Sequence, residues 1–212
     1  MFGKAHAAIK RAAESPPVFS GLGSAEWNRG RHLPPKERAF EAVVEIDRDF
    51  NRGERGMLGW MMAWDARWLR EVGGVPRAVV EDFALGLQAE LRGGGREVVD
   101  ARVWAYSPTR RGDHWKAVTR FTQGAFQQLD RYADDPQAKD LIRKEAAHLL
   151  SPRHIISKLT HDLLHSKVGV AKTAYRFAQH VQAFIVGWAM NRSYPDSQTW
   201  RQLDTTRLHQ KN

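Results

Sequence analysis

The chain has 212 residues, so it can bury a hydrophobic core as one large domain or two small ones. Its formal net charge of +9 at pH 7 favours a polyanionic partner such as nucleic acid or an anionic membrane surface. The absence of cysteine excludes disulfide frameworks and thiolate metal sites. No segment reaches the ~18 apolar residues that a membrane span needs, so we expect a cytoplasmic protein without a membrane partner.

Residues 1–34 are predicted to form a leader arm. The stretch "MFGKAHAAIKRAAESPP" is basic but lacks the continuous apolar run of a secretory signal, and an amphipathic transit peptide is the nearest alternative. Residues 15–35 are rich in proline and glycine, which interrupt regular secondary structure. We therefore expect this Pro/Gly-rich leader to be ordered or partly mobile and to contain no long regular element.

Residues 35–107 are predicted to form an N-terminal helical bundle. Apolar residues at helical spacing indicate three helices, which end near Asn51, at Gly73, and at the glycines of 93–95. The third of these helices is predicted to start at Pro76, because proline suits a first helical turn.

The second helix carries a tryptophan stripe formed by Trp60, Trp64 and Trp68. These rings could stack nucleic-acid bases. However, Met57 and Met61 lie on the same face, and flexible methionine side chains are typical of packed surfaces. The stripe is therefore predicted to be core or interface.

The segment "REVVDARVWAYS" at 96–107 has an apolar pattern that fits either a helix or a short strand. We expect a helix. The basic stretch "SPTRRGDH" at 107–114 is predicted to be the loop that separates the two halves of the chain.

Residues 112–194 are predicted to form a C-terminal helical bundle, followed by a polar tail at 195–212. Two of its helices should begin at Asp135-Pro136 and Ser151-Pro152, because each pair places a capping side chain before a proline at the first helical position. The fold class is thus predicted to be all-α, with two packed helical bundles and an N-terminal leader.

The helices of this half are expected to bury their apolar stripes and to expose their basic residues. The stripe of the helix that starts at Pro152 consists of Ile155, Ile156, Leu159 and Leu163. The stripe of the last helix consists of Val170, Ala174, Phe177, Val181, Phe184 and Trp188, which places Lys172, Arg176 and His180 on the outward face.

Basic residues collect in this half, where the stretch 151–179 has five Lys or Arg residues and a single carboxylate, Asp162. Like charges one helical turn apart repel, and a polyanion would relieve that repulsion. The alternative is a solvated basic face without a ligand. The predicted nucleic-acid-binding residues, which would contact phosphates without reading bases, are Arg110, Arg111, Lys116, Arg120, Arg153, Lys158, Lys172 and Arg176.

The motif "HDLLH" at 161–165 places two histidines one helical turn apart, the spacing of zinc-binding helices. Asp162 stands where such helices have a catalytic glutamate, and there is no evident third ligand beyond His180. We expect no metal and no cofactor. Because no catalytic set stands out, the protein is predicted not to be an enzyme, and a metal-dependent enzyme is a remote alternative.

Several motifs occur in a characteristic order. "RGERGMLGW" at 52–60 is followed by "RF" at 120–121, "LIRKEAAHLL" at 141–150, "IISKLTHDLLH" at 155–165 and "RFAQHVQAF" at 176–184. The first is similar to a Gly-Asp-Arg-Ala stretch, with Gly59 and Trp60 in place of paired arginines, and the others are similar to successive terminal helices. In these features the chain resembles the small subunit of the type I-E Cascade CRISPR surveillance complex.

This resemblance implies a non-catalytic, all-α subunit of a ribonucleoprotein complex in antiviral defence. Such a subunit is present as two copies, contacts the guide-RNA backbone subunits, and supports the guide–target duplex or the displaced DNA strand. Guide RNA, target DNA, other subunits and a second copy of the chain would be its partners. The alternative is a helical structural or regulatory protein of a phage or plasmid that acts through protein–protein packing.

Overall fold

The computed structural model describes residues 21–27, 64, 66–92, 97–105, 111–165 and 170–193. Helices hold most of these residues, so the predicted all-α class is confirmed. The elements in chain order are β1 (Gly21–Trp27), α1 (Ala66–Glu71), α2 (Glu81–Leu91), β2 (Glu97–Ala105), α3 (Arg111–Arg131), α4 (Pro136–Glu145), α5 (Ala147–Leu150), α6 (Pro152–His165) and α7 (Val170–Ser193).

The helix starts predicted from Asp-Pro and Ser-Pro pairs are confirmed. The Asp135 side chain accepts a hydrogen bond of 3.0 Å from the backbone N–H of Ala138, at the start of α4. The Ser151 hydroxyl accepts one of 3.3 Å from the backbone N–H of His154, at the start of α6. Each cap satisfies a backbone donor that the first helical turn leaves without an intrahelical acceptor.

Glycine ends α1 as predicted. Gly73 and Gly74 follow the helix with φ values of 88° and 90°, in the left-handed region that a side chain with a Cβ disfavours. The start of the following helix was predicted less well, because α2 begins at Glu81 rather than at Pro76.

A small hydrophobic cluster joins α1 to α2. Trp68, Leu85 and Ala89 are buried in it, and Trp64 packs against them with its ring stacked on Trp68 at a centroid distance of 5.3 Å. Packing is thus the role of Trp64 and Trp68, as predicted, while Trp60 lies outside the described residues.

The backbone of Val79 connects the N-terminal half to α3. Its N–H donates to Gln127 Oε1 at 2.9 Å, and its carbonyl accepts from Arg120 Nε at 2.9 Å. The next side chain, Val80, is buried against Gly124. The segment before α2 is therefore held on α3 by both hydrogen bonds and packing.

The helix predicted over 96–107 is wrong, because β2 pairs with β1 in a two-stranded parallel sheet. Gly21 lies opposite Glu97, and Trp27 lies opposite Ala105. The apolar pattern of this segment fitted both the helical and the strand period. Its β-branched valines favour the extended form when a partner strand is available. The partner strand, β1, lies in the predicted leader and is seven residues long.

Two further boundaries differ from the predictions. The single helix predicted between Asp135-Pro136 and Ser151-Pro152 breaks at Ala146 into α4 and α5, and α3 begins at Arg111, inside the predicted basic loop. The predicted helix near 35–51, the motif at 52–60 and the polar tail at 195–212 lie outside the described residues. Within the described part of the chain, no helix has the length and apolarity needed to cross a membrane.

Candidate nucleic-acid interface

The long helices α3 and α7 pack against each other in parallel. Near their starts, the indole N–H of Trp115 donates to the Tyr175 hydroxyl. Near their ends, Asn191 Nδ2 donates to the Asp130 carboxylate at 2.6 Å. Because the contacts advance in the same direction along both helices, the N-termini of α3 and α7 lie at the same end of the pair.

This shared N-terminal end has a positive electrostatic character. Each helix N-terminus carries roughly half a positive charge and N–H groups without intrahelical acceptors, an arrangement that attracts anions. The first turn of α7 contains no acidic residue, and the first turn of α3 contains Asp113. The positive ends of two helices are therefore opposed by a single carboxylate in these turns.

Lys116 is the best-defined basic side chain near this end. Its Nζ lies 3.9 Å from Asp113 Oδ1, and the Lys116 side chain is 72% exposed. Asp113 is buried, and the ammonium group of Lys116 extends from it into solvent. Lys116 therefore presents a charge that a phosphate can reach.

Arg111 and Lys172 have backbone positions at the same end. Arg111 is the first residue of α3, and Lys172 is the third residue of α7. The structure describes only the backbone of Arg111 and Lys172, and the same holds for Lys158 on α6. Arg110 lies outside the described residues. The structure thus brings the chain positions of two predicted basic residues together with Lys116.

Arg153 is exposed but lies in a different place. It is the second residue of α6, in a first turn without acidic residues. Helix α6 contacts α7, and only four residues separate the two in sequence. Arg153 therefore lies about 21 Å, nearly the whole length of α6, from the end of that helix that leads to α7.

Arg120 has a structural role that the sequence did not indicate. Its Nε donates to the Val79 carbonyl, and its terminal nitrogen lies 3.4 Å from Glu81 Oε2. Burial lowers the pKa of the Arg120 guanidinium from its ordinary value, with the neighbouring carboxylates acting in the opposite direction. Arg120 is thus engaged in holding the segment before α2 on α3.

The predicted orientation of α7 is wrong, although Phe184 of the predicted stripe is half-buried in an edge contact with Phe126 of α3. Arg176 and His180, expected on the outward face, are only 2% and 7% exposed, whereas the expected core residues Val170 and Trp188 are 73% and 46% exposed. Arg176 is therefore not available on the surface for a phosphate contact.

The cause is that α3 presents polar groups to α7. Gln179 Nε2 donates to His114 Nδ1 at 2.6 Å, and both residues are buried. The helices also approach closely at Gly187, where a Cβ would lie 3.0 Å from the backbone nitrogen of Gln123. Hydrogen bonding and close backbone packing, rather than apolar burial, select the face of α7 that lies inward.

The predicted stripe of α6 is only partly buried. Ile155 is buried as expected, but Ile156 and Leu163 are 57% and 51% exposed. The exposed apolar residues of α6 and α7 are a surface that sequence reasoning missed. The sequence of α7 did contain a sign of this surface. Its polar residues recur with the same helical period as its apolar residues, so either stripe could face inward.

The histidine motif does not form a metal site with its described neighbours. His161 is exposed, and the side chains of Asp162 and His165 are outside the description. Across the described ranges, no three His, Cys, Asp or Glu side chains lie close enough to hold a metal ion together.

Comparisons with known proteins find no match to this chain among protein-family models, curated proteins or solved structures.

Proposed function

We propose that this chain is a non-catalytic small subunit of an RNA-guided CRISPR effector complex in the cytoplasm. It holds nucleic-acid backbone, either the guide–target duplex or the displaced DNA strand, on the basic surface of its C-terminal half. The observation that carries this proposal is the shared N-terminal end of α3 and α7, with Lys116 exposed beside it. The resemblance to the Cascade small subunit supports the choice of guide RNA, target DNA and other subunits as partners.

The physical mechanism is phosphate binding without base reading. Phosphate oxygens accept hydrogen bonds from the backbone N–H groups of helical first turns, and nearby lysine and arginine side chains neutralise the phosphate charge. Both kinds of contact are indifferent to base sequence. Affinity should therefore fall steeply with salt and vary little between sequences.

The separation of the basic groups sets the length of strand that can be held. Arg153 lies at the far end of α6 from the shared N-terminal end. Along the axis of a duplex, about 21 Å spans about six base-pair steps of 3.4 Å each. The two groups would thus contact different phosphates of the bound nucleic acid.

The test is a titration of single-stranded DNA and of an RNA–DNA duplex at several salt concentrations. Lys116→Ala and Arg153→Ala should each weaken binding to all sequences about equally and reduce the slope of log affinity against log salt by about 0.7 to 0.9 units. Arg143→Ala is the matched control, because Arg143 is exposed in the last turn of α4, at the negative C-terminal end of that helix. Unchanged affinity and slope for both site variants would refute the proposal.

A second function is favoured by the exposed apolar surface of α6 and α7. A structural or regulatory protein of a phage or plasmid, acting through protein–protein packing, would use such a surface and need no phosphate contact. The nucleic-acid titration distinguishes the two functions. For a packing protein, the Lys116 and Arg153 substitutions should change neither the affinity for nucleic acid nor its dependence on salt. The identity of the neighbouring genes would separate them independently.

A further inference from the structure

The outward face of α7 is apolar, and its inward face is polar. Every exposed residue between 173 and 190 is apolar, whereas the buried residues of the helix include Arg176, Gln179 and His180. Large hydrophobic groups on a protein surface are ordinary when scattered, but a contiguous set indicates an interaction site. Five exposed residues, separated by seven, four, four and three positions, lie on one side of the helix and form the outer stripe: Val170, Phe177, Val181, Ile185 and Trp188.

A cation lies at the C-terminal end of the outer stripe. The guanidinium carbon of Arg192 is 5.1 Å from the centroid of the Trp188 ring, and both side chains are exposed. The chain has no Asp or Glu between 163 and 195. Asp130 of α3 accepts a hydrogen bond from Asn191, which is buried on the side of α7 that faces α3. The outer stripe therefore ends in an arginine–tryptophan pair, with no carboxylate on its own helix.

We propose that the outer stripe binds the surface of an anionic phospholipid membrane, with α7 parallel to that surface. An interfacial helix buries its apolar face about 5 to 10 Å into the boundary between headgroups and acyl chains, and its basic residues pair with anionic lipids. Tryptophan is enriched at this boundary, and a long arginine side chain can reach from it to the headgroups. Trp188 and Arg192 fit these two roles. This mode of binding needs no membrane-spanning segment, the criterion by which the sequence argued against a membrane partner.

The composition of the outward face favours lipid over a protein partner. Protein interfaces contain about one hydrogen bond per 100 to 200 Å² of buried surface. The exposed residues from 173 to 190 carry no side chain that could donate or accept a hydrogen bond. The hydrocarbon of a membrane needs no such group, because acyl chains form no hydrogen bonds.

The outer stripe is also unsuited to nucleic acid. Unpaired bases stack on aromatic rings, and phosphates bind to cations and N–H donors. Val181 and Ile185 offer neither, and they occupy the centre of the outer stripe, within the roughly 16 Å that separate Phe177 from Trp188. A membrane would thus use a part of the surface that phosphate binding near Lys116 does not use.

The size of the outer stripe predicts weak, reversible binding. From Val170 to Trp188 it is about 27 Å long and belongs to a single helix. The strength of interfacial binding increases with the apolar area that is buried and with the attraction to anionic lipids. Because the chain has a net charge of +9, we expect binding to increase with the fraction of anionic lipid and to decrease with salt.

The first test measures co-sedimentation of the full chain with vesicles of phosphatidylcholine, with and without added phosphatidylglycerol. Ile185→Glu places a charge on the outer stripe and should weaken binding to the anionic vesicles about tenfold or more. Arg192→Ala should weaken it about fivefold. Gln137→Glu is the matched control, because it makes an exposed position of α4 acidic, and it should leave binding unchanged. Circular dichroism should be the same for all variants, because the three side chains are exposed.

The second test uses the absence of native cysteine. A polarity-sensitive fluorophore attached to Val181→Cys or Ile185→Cys should increase in emission when anionic vesicles are added. The same fluorophore on Gln137→Cys should not respond, because α4 would stay in water. Equal responses at the three positions would overturn the proposed orientation of α7.

Two other outcomes would overturn the proposal itself. One is a chain that binds neither kind of vesicle, and the other is vesicle binding that Ile185→Glu leaves unchanged. If vesicles do not bind and Ile185→Glu lowers the mass of the chain in sedimentation, the outer stripe is a protein–protein surface instead.

The role in nucleic-acid binding is tested separately. Ile185→Glu should change the nucleic-acid titration no more than Gln137→Glu does, because the outer stripe contributes no phosphate contact. A chain that fails to bind vesicles would therefore leave the nucleic-acid role intact, and a failed nucleic-acid titration would leave the membrane surface intact.

Discussion

The Val80 side chain lies directly against the backbone of Gly124 on α3. A Cβ added at position 124 would lie 2.9 Å from Val80 Cβ and closer still to Val80 Cγ2. Gly124→Ala should therefore destabilise the protein by about 1 to 3 kcal/mol through overpacking, despite the higher helix propensity of alanine. Urea unfolding followed by circular dichroism measures this change.

The same chain supplies the control. A Cβ at Gly112, also on α3, meets nothing within 4 Å, so Gly112→Ala should be neutral or stabilise by up to about 1 kcal/mol. Adding Val80→Ala to Gly124→Ala should cost less than the sum of the two single changes, because the contact is then removed from both sides. Additive free energies would show that the two residues are not in contact.

The N-cap of α4 gives a second prediction. Asp135→Ala removes the acceptor for the Ala138 N–H and should lower the free energy of unfolding by about 0.5 to 2 kcal/mol. Asp134→Ala, at the adjacent exposed position, loses an equal charge without a cap and should change stability by less than about 0.5 kcal/mol. Equal effects of the two substitutions would contradict the capping role.

Arg120 and Lys116 are predicted to separate stability from binding. Arg120→Ala removes the hydrogen bond to the Val79 carbonyl and should lower stability by about 1 to 3 kcal/mol, with no change in the salt slope of nucleic-acid binding. Lys116→Ala should leave stability nearly unchanged, because the Lys116 side chain is exposed, and should reduce the salt slope of nucleic-acid binding. Denaturant unfolding and salt-dependent titration of both variants check this pair; a reduced slope for Arg120→Ala would restore it to the binding surface.

Asp82 should make stability depend on pH. Burial raises the pKa of its carboxyl group, and adjacent Glu81 adds to that rise, against a hydrogen bond from the Phe83 N–H and the charge of Arg120. A raised pKa in the folded state means that the folded chain binds the proton more tightly than the unfolded chain does. The contribution of Asp82 is therefore most favourable below the unfolded pKa and is lost as pH rises through the folded pKa.

Asp82→Asn keeps the shape and the acceptor for the Phe83 N–H but removes the charge of this half-buried group. The variant should be more stable than the unsubstituted chain at neutral pH, and the difference should shrink as the pH falls towards about 4. Urea unfolding midpoints of both proteins, measured from neutral pH down to about pH 4, test whether the stability gain of the variant shrinks in this direction. Asp140→Asn, at an exposed position, is the control, and a similar pH-dependent gain there would remove Asp82 as the cause.

Signals that act within one turn of a helix were sufficient to predict several boundaries. Asp135 and Ser151 cap helices through side chains that reach only three residues along the chain. Gly73 ends α1 because of its own backbone conformation. Such features depend on neighbours in sequence, so they can be read without knowledge of the tertiary structure.

The orientation of α7 could not be predicted in this way. Its apolar stripe and its polar stripe have the same helical period. Which of them faces inward depends on the side chains that α3 presents to α7. His114 meets Gln179 and Asp130 meets Asn191, pairs more than 60 residues apart in sequence. The same limitation applies to the candidate interface: Lys116 and Arg153 were identified as basic, but the pairing of helix N-termini depends on the direction in which α3 and α7 run. The strand β2 was missed because its partner lies far upstream.

The parallel direction of α3 and α7 also constrains how the chain can fold. Neighbouring helices joined by a short turn form their contacts early, because closing a small loop costs little entropy. The Trp115–Tyr175 and Asp130–Asn191 pairs instead close loops of 60 and 61 residues, with α4, α5 and α6 inside them. These intervening helices must return the chain to the start of α3 before α7 can dock. Until α7 docks, the polar face of α3 that binds Gln179 and Asn191 remains hydrated. The last helix therefore completes the fold of the C-terminal half.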